Sequence, residues 1–325
     1  MLPMNNEPLV DVKDLTVHFP VGKHLLQAIT DISIKIYPGE TLGLVGESGS
    51  GKSTTGRAIL RLEPQAQGKV LFEGVSLFDM KKKELKAFRK TAQMIFQDPY
   101  ASLNPRMSAR EIIAEPLDIH HLERGAAREL RLKELIDLVG LSNHHLSRFP
   151  HEFSGGQRQR LGIARAIAAR PRFIVCDEPI SALDVSVQAQ IINLLRALQE
   201  EMHISYLFIT HDLRVVKYLS HRIAVMYLGH IVELSSSNEL YAHPLHPYTQ
   251  ALLSAIPIPD PKLERQRTRI FLKDELPSAF NPPKGCVFCT RCPQAKPICF
   301  EKRPELRNIS SEHQVACHLA PKLPL

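Results

Sequence analysis

The chain of 325 residues is 44% apolar and 23% charged and has a net charge of +7. This composition is typical of folded globular proteins and excludes a disordered chain. No apolar run approaches the roughly eighteen residues that span a bilayer, and the N-terminus lacks the basic and then apolar pattern of a secretory signal. We therefore expect a cytoplasmic protein. Its positive charge suits nucleic acid, an anionic membrane surface or an anionic ligand, or is only a solvated surface.

The first part of the chain is predicted to form strands, then a loop and a helix. The segments "VDVKDLTVHFP" (10–20) and "ITDISIKIYPGE" (29–40) alternate apolar and polar residues, which predicts half-buried strands. "TLGLVG" (41–46) is a short apolar strand that runs into Gly and Ser, and "KSTTGRAILRL" (52–62) has helical spacing. This stretch therefore predicts a strand, a Gly-rich loop and a helix in succession.

The middle of the chain is predicted to be mostly amphipathic helix, interrupted by the extended piece "AQMIFQDPYASLNP" (92–105). The segment "ELRLKELIDLVGL" (129–141) predicts an amphipathic helix that ends at Gly140. Two apolar strands, "FIVCDEP" (173–179) and "SYLFITHD" (205–212), alternate with helical patterns farther along. Strands alternating with helices predict an α/β domain with a largely parallel core sheet.

The composition changes near residue 257, where prolines become frequent and the hydrophobic periodicity is weak. We therefore expect a loop-dominated tail. "GCVFCTRCPQAKPICF" (285–300) holds four of the six cysteines, and Cys317 follows. In a cytoplasmic protein, clustered thiols more often bind metal or take part in redox chemistry than form structural disulfides. Because the tail has so little apolar content, we expect a bound metal or cluster to contribute to its stability.

A phosphate-binding loop is predicted at "GESGSGKS" (46–53), which fits G-x-x-x-x-G-K-[ST]. Backbone N–H groups of such a loop surround phosphate oxygens at the positive end of the next helix. Lys52 would reach the β- and γ-phosphates, and Ser53 would help to hold Mg²⁺. The predicted nucleotide contacts are Gly46, Glu47, Ser48, Gly49, Ser50, Gly51, Lys52, Ser53 and Thr54.

Two carboxylates follow the apolar strand in "FIVCDEP". A carboxylate at the end of such a strand points into the ligand crevice of a parallel sheet. Asp177 is predicted to bind Mg²⁺ through water, and Glu178 to orient or deprotonate an attacking water. Cys176, inside the strand, is expected to pack in the core.

A second helix N-terminus rich in glycine lies just upstream, in "FSGGQRQRLGIARAI" (153–167). It resembles the signature motif of ATP-binding cassette (ABC) ATPases, carried here by Ser154, Gly155, Gly156 and Gln157. The resemblance implies a head-to-tail dimer in which this motif completes the partner's ATP site. It covers about residues 8–256 and implies a P-loop NTPase with a RecA-like core sheet, an antiparallel β subdomain and a helical subdomain at about 98–152. Residues 257–325 would form a C-terminal extension.

The other family positions also match. By resemblance, Gln97 senses the γ-phosphate and metal and touches a membrane subunit, and His211 is the switch histidine near the γ-phosphate. Asp184 belongs to the D-loop, and Phe19 resembles the aromatic residue that stacks on adenine. Glu178 is intact, so the chain resembles an active ATPase.

Three segments point to one branch of the family: "QDPYASLNPR" (97–106), "MYLGHIVE" (226–233) and "HPYTQALLSAIP" (246–257). They are similar to the second ATPase of bacterial dipeptide and oligopeptide importers. The resemblance implies a paralogous ATPase or a second copy as partner, two membrane permeases, a substrate-binding protein reached indirectly, and no nucleic acid. It places the chain peripherally on the cytoplasmic face of the inner membrane. Relatives also import nickel, glutathione or antimicrobial peptides, so the solute stays open.

The tail cysteines have the spacing Cys286-x5-Cys292-x6-Cys299-x17-Cys317, which in these relatives is associated with a [4Fe–4S] cluster. Four thiolates suit either Fe–S or Zn²⁺, and reduced thiols without a metal are the other alternative. The family pattern makes Cys289 the non-ligand.

Two other functions would fit parts of the sequence. Soluble ABC ATPases of translation usually carry two cassettes, and those of DNA repair insert long coiled coils, whereas this chain has one cassette and no sustained heptads. A redox-sensing protein built around the cysteine tail is the second rival. The intact set of hydrolysis residues argues against sensing as its main role.

Overall fold

The computed structural model describes residues 7–257, 260–266, 269–272 and 277–321. The chain divides into two compact units. The first comprises Met1–Val10, Ile36–Glu40 and Leu71–Ile209, and the second Asp11–Lys35, Thr41–Val70 and Thr210–Leu325. The tail thus falls in the same unit as the residues of the predicted phosphate loop.

Strands occur in both units. In chain order they are β1 (Val10–Val21), β2 (His24–Ile36), β3 (Thr41–Val45), β4 (Gln67–Phe72), β5 (Val75–Ser76), β6 (Ala92–Ile95), β7 (Phe173–Asp177), β8 (Ser205–Thr210), β9 (Arg222–Tyr227), β10 (His230–Ser236), β11 (Arg307–Asn308) and β12 (His313–Val315).

Helices connect most of these strands. The α-helices are α1 (Lys52–Ile59), α2 (Lys82–Thr91), α3 (Pro99–Ser102), α4 (Ala109–Ile119), α5 (Gly125–Leu138), α6 (Gly155–Ile167), α7 (Val185–Met202), α8 (Leu213–Leu219), α9 (Ser237–Ala242), α10 (Pro247–Ser254), α11 (Pro261–Gln266) and α12 (Pro297–Glu301). Short 3-10 helices span Asn143–Ser147 and Pro150–Glu152. Within the described ranges, no helix is both long and apolar enough to cross a membrane.

The core of the first unit is a parallel ladder of β6, β7 and β8. Ala92 pairs with Phe173, which pairs with Ser205, and the register continues to Asp177 opposite Ile209. All five residues of β7 and all six of β8 are buried, as expected of parallel strands covered on both faces. The predicted α/β fold is confirmed. The ladder also places the carboxyl ends of β6 and β7 at one edge of the sheet.

A helical layer of the first unit is built on α4, α5 and α6, which pack on one another. Helix α4 begins with a capping box, because the Glu111 carboxylate accepts a bond from the Ser108 amide at 2.7 Å and Glu111 N–H donates to Ser108 Oγ. Helix α5 ends at Leu138, close to the predicted stop at Gly140. The helical subdomain expected at about 98–152 stays a prediction as a separate unit.

The second unit is organised around β3, β9 and β10. Strand β3 pairs with β9 in parallel, and β9 pairs with β10 in antiparallel orientation. The long strands β1 and β2 lie side by side, with β4 on the other edge of β1. Strands β1 and β2 correspond to the segments predicted at 10–20 and 29–40 from their alternating apolar and polar residues. Strand β2 begins at His24, five residues earlier than predicted.

The tail is more ordered than its proline content suggests. Strand β12 pairs with β10, with Val315 opposite Glu233, and β11 pairs with β12. Val315, Cys317 and Ala320 form a buried apolar group. This part of the loop-dominated tail is therefore held by pairing with β10 and by packing against Leu245, Ile309 and Leu319.

Candidate functional site

The predicted phosphate loop connects β3 to α1, as the sequence indicated. All five residues of β3 are buried, and α1 begins at Lys52. The Lys52 ammonium donates to the carbonyl oxygens of Gly46 and Glu47 at 2.8 and 2.9 Å, and the residue is only 5% exposed. The lysine is therefore held against the loop and does not extend into solvent.

Two glycines of the loop are required by sterics. A Cβ on Gly46 would lie 2.1 Å from the carbonyl oxygen of Met226. Gly51, the N-cap of α1, has φ +100°, a conformation that favours glycine, and its Cβ would lie 2.4 Å from the carbonyl of Ala28. No side chain caps α1 at Gly51, so its first amides are oriented to bind an anion.

The predicted hydrolysis residues of the first unit lie at the ends of β6 and β7. Gln97 follows β6, and its amide Nε2 donates to Glu178 Oε2 at 3.0 Å. Asp177 ends β7 and is 1% exposed. The structure thus joins Gln97 to Glu178 directly, a contact that the sequence did not predict.

Glu178 has an unusual backbone conformation. Its φ is +44°, in the left-handed region, and its N–H donates to the carbonyl of Ile209 at 3.0 Å. A non-glycine residue held there costs about 1–3 kcal/mol, and such residues concentrate at functional sites. The strand pairing of β7 and β8 thus fixes the carboxylate at a strained turn immediately after the strand.

The predicted signature residues form the N-terminus of α6. Ser154 is exposed and is the N-cap, with its Oγ accepting from Gln157 N–H at 3.3 Å while Gln157 Oε1 accepts from Ser154 N–H at 2.9 Å. Gly155 and Gly156 form the first turn without side chains in the way. The arrangement leaves an accessible, positively polarised helix end.

The remaining predicted site residues have simpler surroundings. Asp184 caps α7 by accepting from Val187 N–H at 3.0 Å and from Ser186 Oγ at 2.8 Å. These two bonds lower the pKa of Asp184, the backbone bond contributing most. In the second unit, His211 is exposed just before α8, and Phe19 is partly buried in β1.

The tail cysteines lie close to one another and are not disulfide-bonded. Cys286, Cys289, Cys299 and Cys317 are buried, and Cys286 N–H donates to the carbonyl of Cys299 at 2.8 Å. Burial raises the pKa of the Cys286 thiol to about 12. Across the described part of the chain, no three His, Cys, Asp or Glu side chains are arranged to hold a metal ion. As placed, the thiols do not fit a cluster.

The sequence prediction missed a buried group beside the phosphate loop. Tyr227, Tyr248 and Phe288 are each 0% exposed and pack ring against ring. Arg291, from the cysteine segment, forms an ion pair with Glu47 at 2.8 Å. Glu47 and Arg291 are 244 positions apart, so no local pattern indicates the contact.

Comparisons with known proteins identify the family of this chain. The ABC transporter family profile matches residues 29–181, and the profile named "Oligopeptide/dipeptide transporter, C-terminal region" matches residues 232–299. The chain is 54% identical over 320 residues to the oligopeptide transport ATP-binding protein OppF of Escherichia coli, covering 95% of each chain. It is 51% identical over 327 residues to AppF of Bacillus subtilis, an oligopeptide transport ATP-binding protein, covering 98% of this chain and 99% of the relative.

A solved structure supports the fold independently. The dimeric ATP-binding cassette MJ0796, in a post-hydrolysis state with ADP and Pi bound, superposes with a TM-score of 0.65 at 29% identity, covering 70% of this chain and 98% of that chain. The family resemblance predicted from the sequence is confirmed. Taken together with the phosphate loop, the strained Glu178 and the helix end at Ser154, these likenesses show that the chain belongs to the ATP-binding proteins of the ABC transporter family and is an ATPase coupled to transport.

Proposed function

We propose that this ATPase powers the uptake of oligopeptides or dipeptides through a bacterial membrane importer. The observation that carries the proposal is the bond between Gln97 and Glu178 next to the buried Asp177. In the proposed mechanism Asp177 is a metal ligand, Glu178 is the base and Gln97 senses the γ-phosphate, and their proximity supports an active ATPase. The peptide cargo is supported by the tail, which matches the oligopeptide/dipeptide transporter region, and by the names of the relatives.

The proposed chemistry assigns one role to each residue. Lys52 stabilises the charge of the transferred phosphoryl group, Glu178 orients or deprotonates the attacking water, and His211 contacts the γ-phosphate. Ser53, Gln97 and Asp177 would hold Mg²⁺, because hydroxyl, amide and carboxylate oxygens are the ligands that this ion prefers. Mg²⁺ would supply charge neutralisation, and Phe19 would stack on adenine.

We propose that the active form is a head-to-tail dimer. The exposed helix end at Ser154, with Gly155 and Gly156, suits a phosphate group of a nucleotide bound to a partner. The partner would be a paralogous ATPase or a second copy of this chain. Two permeases would dock on the region 98–152, which places the chain peripherally on the cytoplasmic face of the membrane.

The [4Fe–4S] cluster, with Zn²⁺ as the alternative, is proposed from the cysteine spacing and from two hydrogen bonds to cysteine sulfurs. Backbone N–H groups of Lys296 and Leu319 donate to the sulfurs of Cys299 and Cys317 at 3.5 and 3.4 Å, and such bonds also stabilise thiolate ligands. Filling the site would require the side chains to rearrange.

Anaerobic purification of the full chain followed by iron and zinc analysis tests the cluster. We expect iron in the wild type and in Cys289→Ser, and its loss in Cys292→Ser. Reduced thiols with neither metal in the wild type would contradict the cluster.

Replacing Glu178 tests the ATPase. In the assembled transporter, Glu178→Gln should bind ATP but lose turnover, because the amide cannot accept a proton from water. Glu200→Gln, an exposed change on α7, should retain turnover. Steady hydrolysis by Glu178→Gln would contradict the assignment, and co-purification of ribosomes or DNA in place of permeases would favour the soluble rivals.

A further inference from the structure

The phosphate loop and the cysteine segment of the tail meet at Glu47. Glu47 is the second residue of the loop, and Arg291 lies between Cys289 and Cys292. Arg291 Nη1 donates to Glu47 Oε2 at 2.8 Å, and the side chains are 8% and 29% exposed, respectively. An ion pair shielded to this degree has more energetic weight than an exposed one, because removing one partner leaves the other charge poorly solvated.

Glu47 is held at its backbone as well as at its carboxylate. Its N–H donates to the Tyr248 hydroxyl at 2.9 Å, and its carbonyl accepts from Lys52 Nζ at 2.9 Å. The tail-facing contacts therefore fix the residue whose carbonyl holds the phosphate-binding lysine. A shift of Glu47 would move Lys52 with it.

Arg291 is itself positioned by aromatic packing. Its Nη1 lies 3.4 Å from the Tyr227 hydroxyl, and its guanidinium lies 5.9 Å from the ring centroid of Tyr227. Phe288, three positions before Arg291, packs against Tyr227 and Tyr248 with centroid distances of 5.1 and 5.4 Å. The fold of the cysteine segment thus sets where the guanidinium lies.

Charge gives Arg291 a second effect. Glu47 places a carboxylate in a loop that binds a polyphosphate, and two negative groups at close range repel. The guanidinium neutralises that carboxylate. Without it, the loop would carry an uncompensated negative charge at the site where ATP phosphates bind.

We propose that the C-terminal tail is a positioning element of the nucleotide site, in which Arg291 orients and neutralises Glu47 of the phosphate loop. The fold of the cysteine segment then tunes the affinity for ATP. This inference rests on the proposed ATPase function. Because coupling between two sites is reciprocal, ATP bound at the loop also stabilises the tail.

The test is the affinity for ATP and the KM and kcat of the full chain in the assembled transporter. Arg291→Gln should weaken ATP binding and raise KM by about tenfold, a typical coupling between sites, with kcat changed by less than about twofold. Arg291→Lys keeps the charge and should stay within about threefold of the wild type. Arg307→Gln, which removes a cation of the same tail that contacts Ala320 and Pro321, should leave ATP affinity unchanged.

The double variant Glu47→Gln/Arg291→Gln separates this effect from general damage. It removes the uncompensated carboxylate together with its partner, so ATP affinity should recover to within about threefold of the wild type. A double variant as weak as Arg291→Gln would overturn the proposal. So would an Arg291→Gln chain that binds ATP like the wild type, or an Arg291→Lys chain as weak as Arg291→Gln.

Hydrogen exchange provides a readout other than activity. ATP should slow amide exchange at residues 285–300 of the wild type and should do so much less in Arg291→Gln. Equal protection in both chains would overturn the proposal. A wild-type chain that binds no ATP would instead contradict the proposed function, so the two failures are distinguishable.

Discussion

The phosphate loop and the cysteine tail lie in the same unit but are specified in different ways. The loop is determined by consecutive residues, because Gly46 and Gly51 permit a backbone path that other residues would block. The tail is determined by distant contacts, since β12 pairs with β10 and Phe288 packs against Tyr227 and Tyr248. The structure of a local motif can therefore be predicted from its sequence. The structure of a segment held by distant contacts is seen only in the folded protein.

The largest effect on ATP binding is expected where the loop alone is broken. In Gly46→Ala the new methyl would lie 2.1 Å from the Met226 carbonyl, so the loop must move. We expect ATP affinity to fall by about a hundredfold or more, equivalent to about 2.7 kcal/mol. Nucleotide titration of the full chain measures this.

Gly162→Ala is the matched control for that variant. Gly162 lies in α6, and a Cβ there would meet nothing within 4 Å. ATP affinity should not change, and the helix should gain about 0.5–1 kcal/mol. Equal ATP binding by Gly46→Ala and wild type would show that the loop is not sterically specified.

The largest effect on stability is expected where the tail alone is broken. Phe288→Ala removes a ring that is 0% exposed, and we expect unfolding free energy to fall by about 3–5 kcal/mol. Phe300→Ala, whose ring is 54% exposed in the same tail, should cost about 1 kcal/mol or less. Denaturant titration compares the two, and equal losses would mean that the tail is not integrated with its unit.

A smaller effect on stability depends on pH and tests how a buried histidine of the second unit contributes to folding. Burial lowers the pKa of His246 from 6.5 to about 4, against the opposing influence of Glu233. The neutral ring accepts from Tyr248 N–H at 3.1 Å. The unfolded chain binds a proton below about pH 6.5 and the folded chain only below about pH 4, so stability is lost as pH falls between these values.

We expect the His246 effect to be about 3 kcal/mol between pH 7 and pH 4, measured as unfolding free energy at several pH values. His246→Asn should flatten the dependence relative to the wild type. His243→Asn, an exposed change, should leave it as it is. A wild-type and a His246→Asn chain with the same pH profile would contradict a buried neutral His246.

Much of the fold was predictable because its signals are local. β7 and β8 are continuous apolar runs, and α5 has clear helical spacing ended by Gly140. Strand β6 was predicted only as an extended piece, because four residues beside a proline-containing turn carry little periodicity. The tail strands β11 and β12 were missed, since two- and three-residue strands are set by pairing with β10 rather than by their own sequence.

The sequence predicts which residues belong to the candidate site, but it does not predict the contacts between them. The motifs identified Gln97 and Glu178 separately, and only the strand register brings them within hydrogen-bonding distance. The strained φ of Glu178 has no signal in the sequence, because the residue type does not favour it. No signal in the sequence points to the bond between Arg291 and Glu47, because that bond joins distant parts of the second unit.

The central claim is that ATP hydrolysis by this chain drives peptide import. The most direct measurement reconstitutes the chain with its partner ATPase, permeases and binding protein in liposomes, and follows ATP-dependent accumulation of a labelled tripeptide. The account predicts accumulation by the wild type and none by Glu178→Gln at equal ATP binding. Accumulation by Glu178→Gln, or ATP-driven uptake of nickel or glutathione with no uptake of peptide, would contradict it.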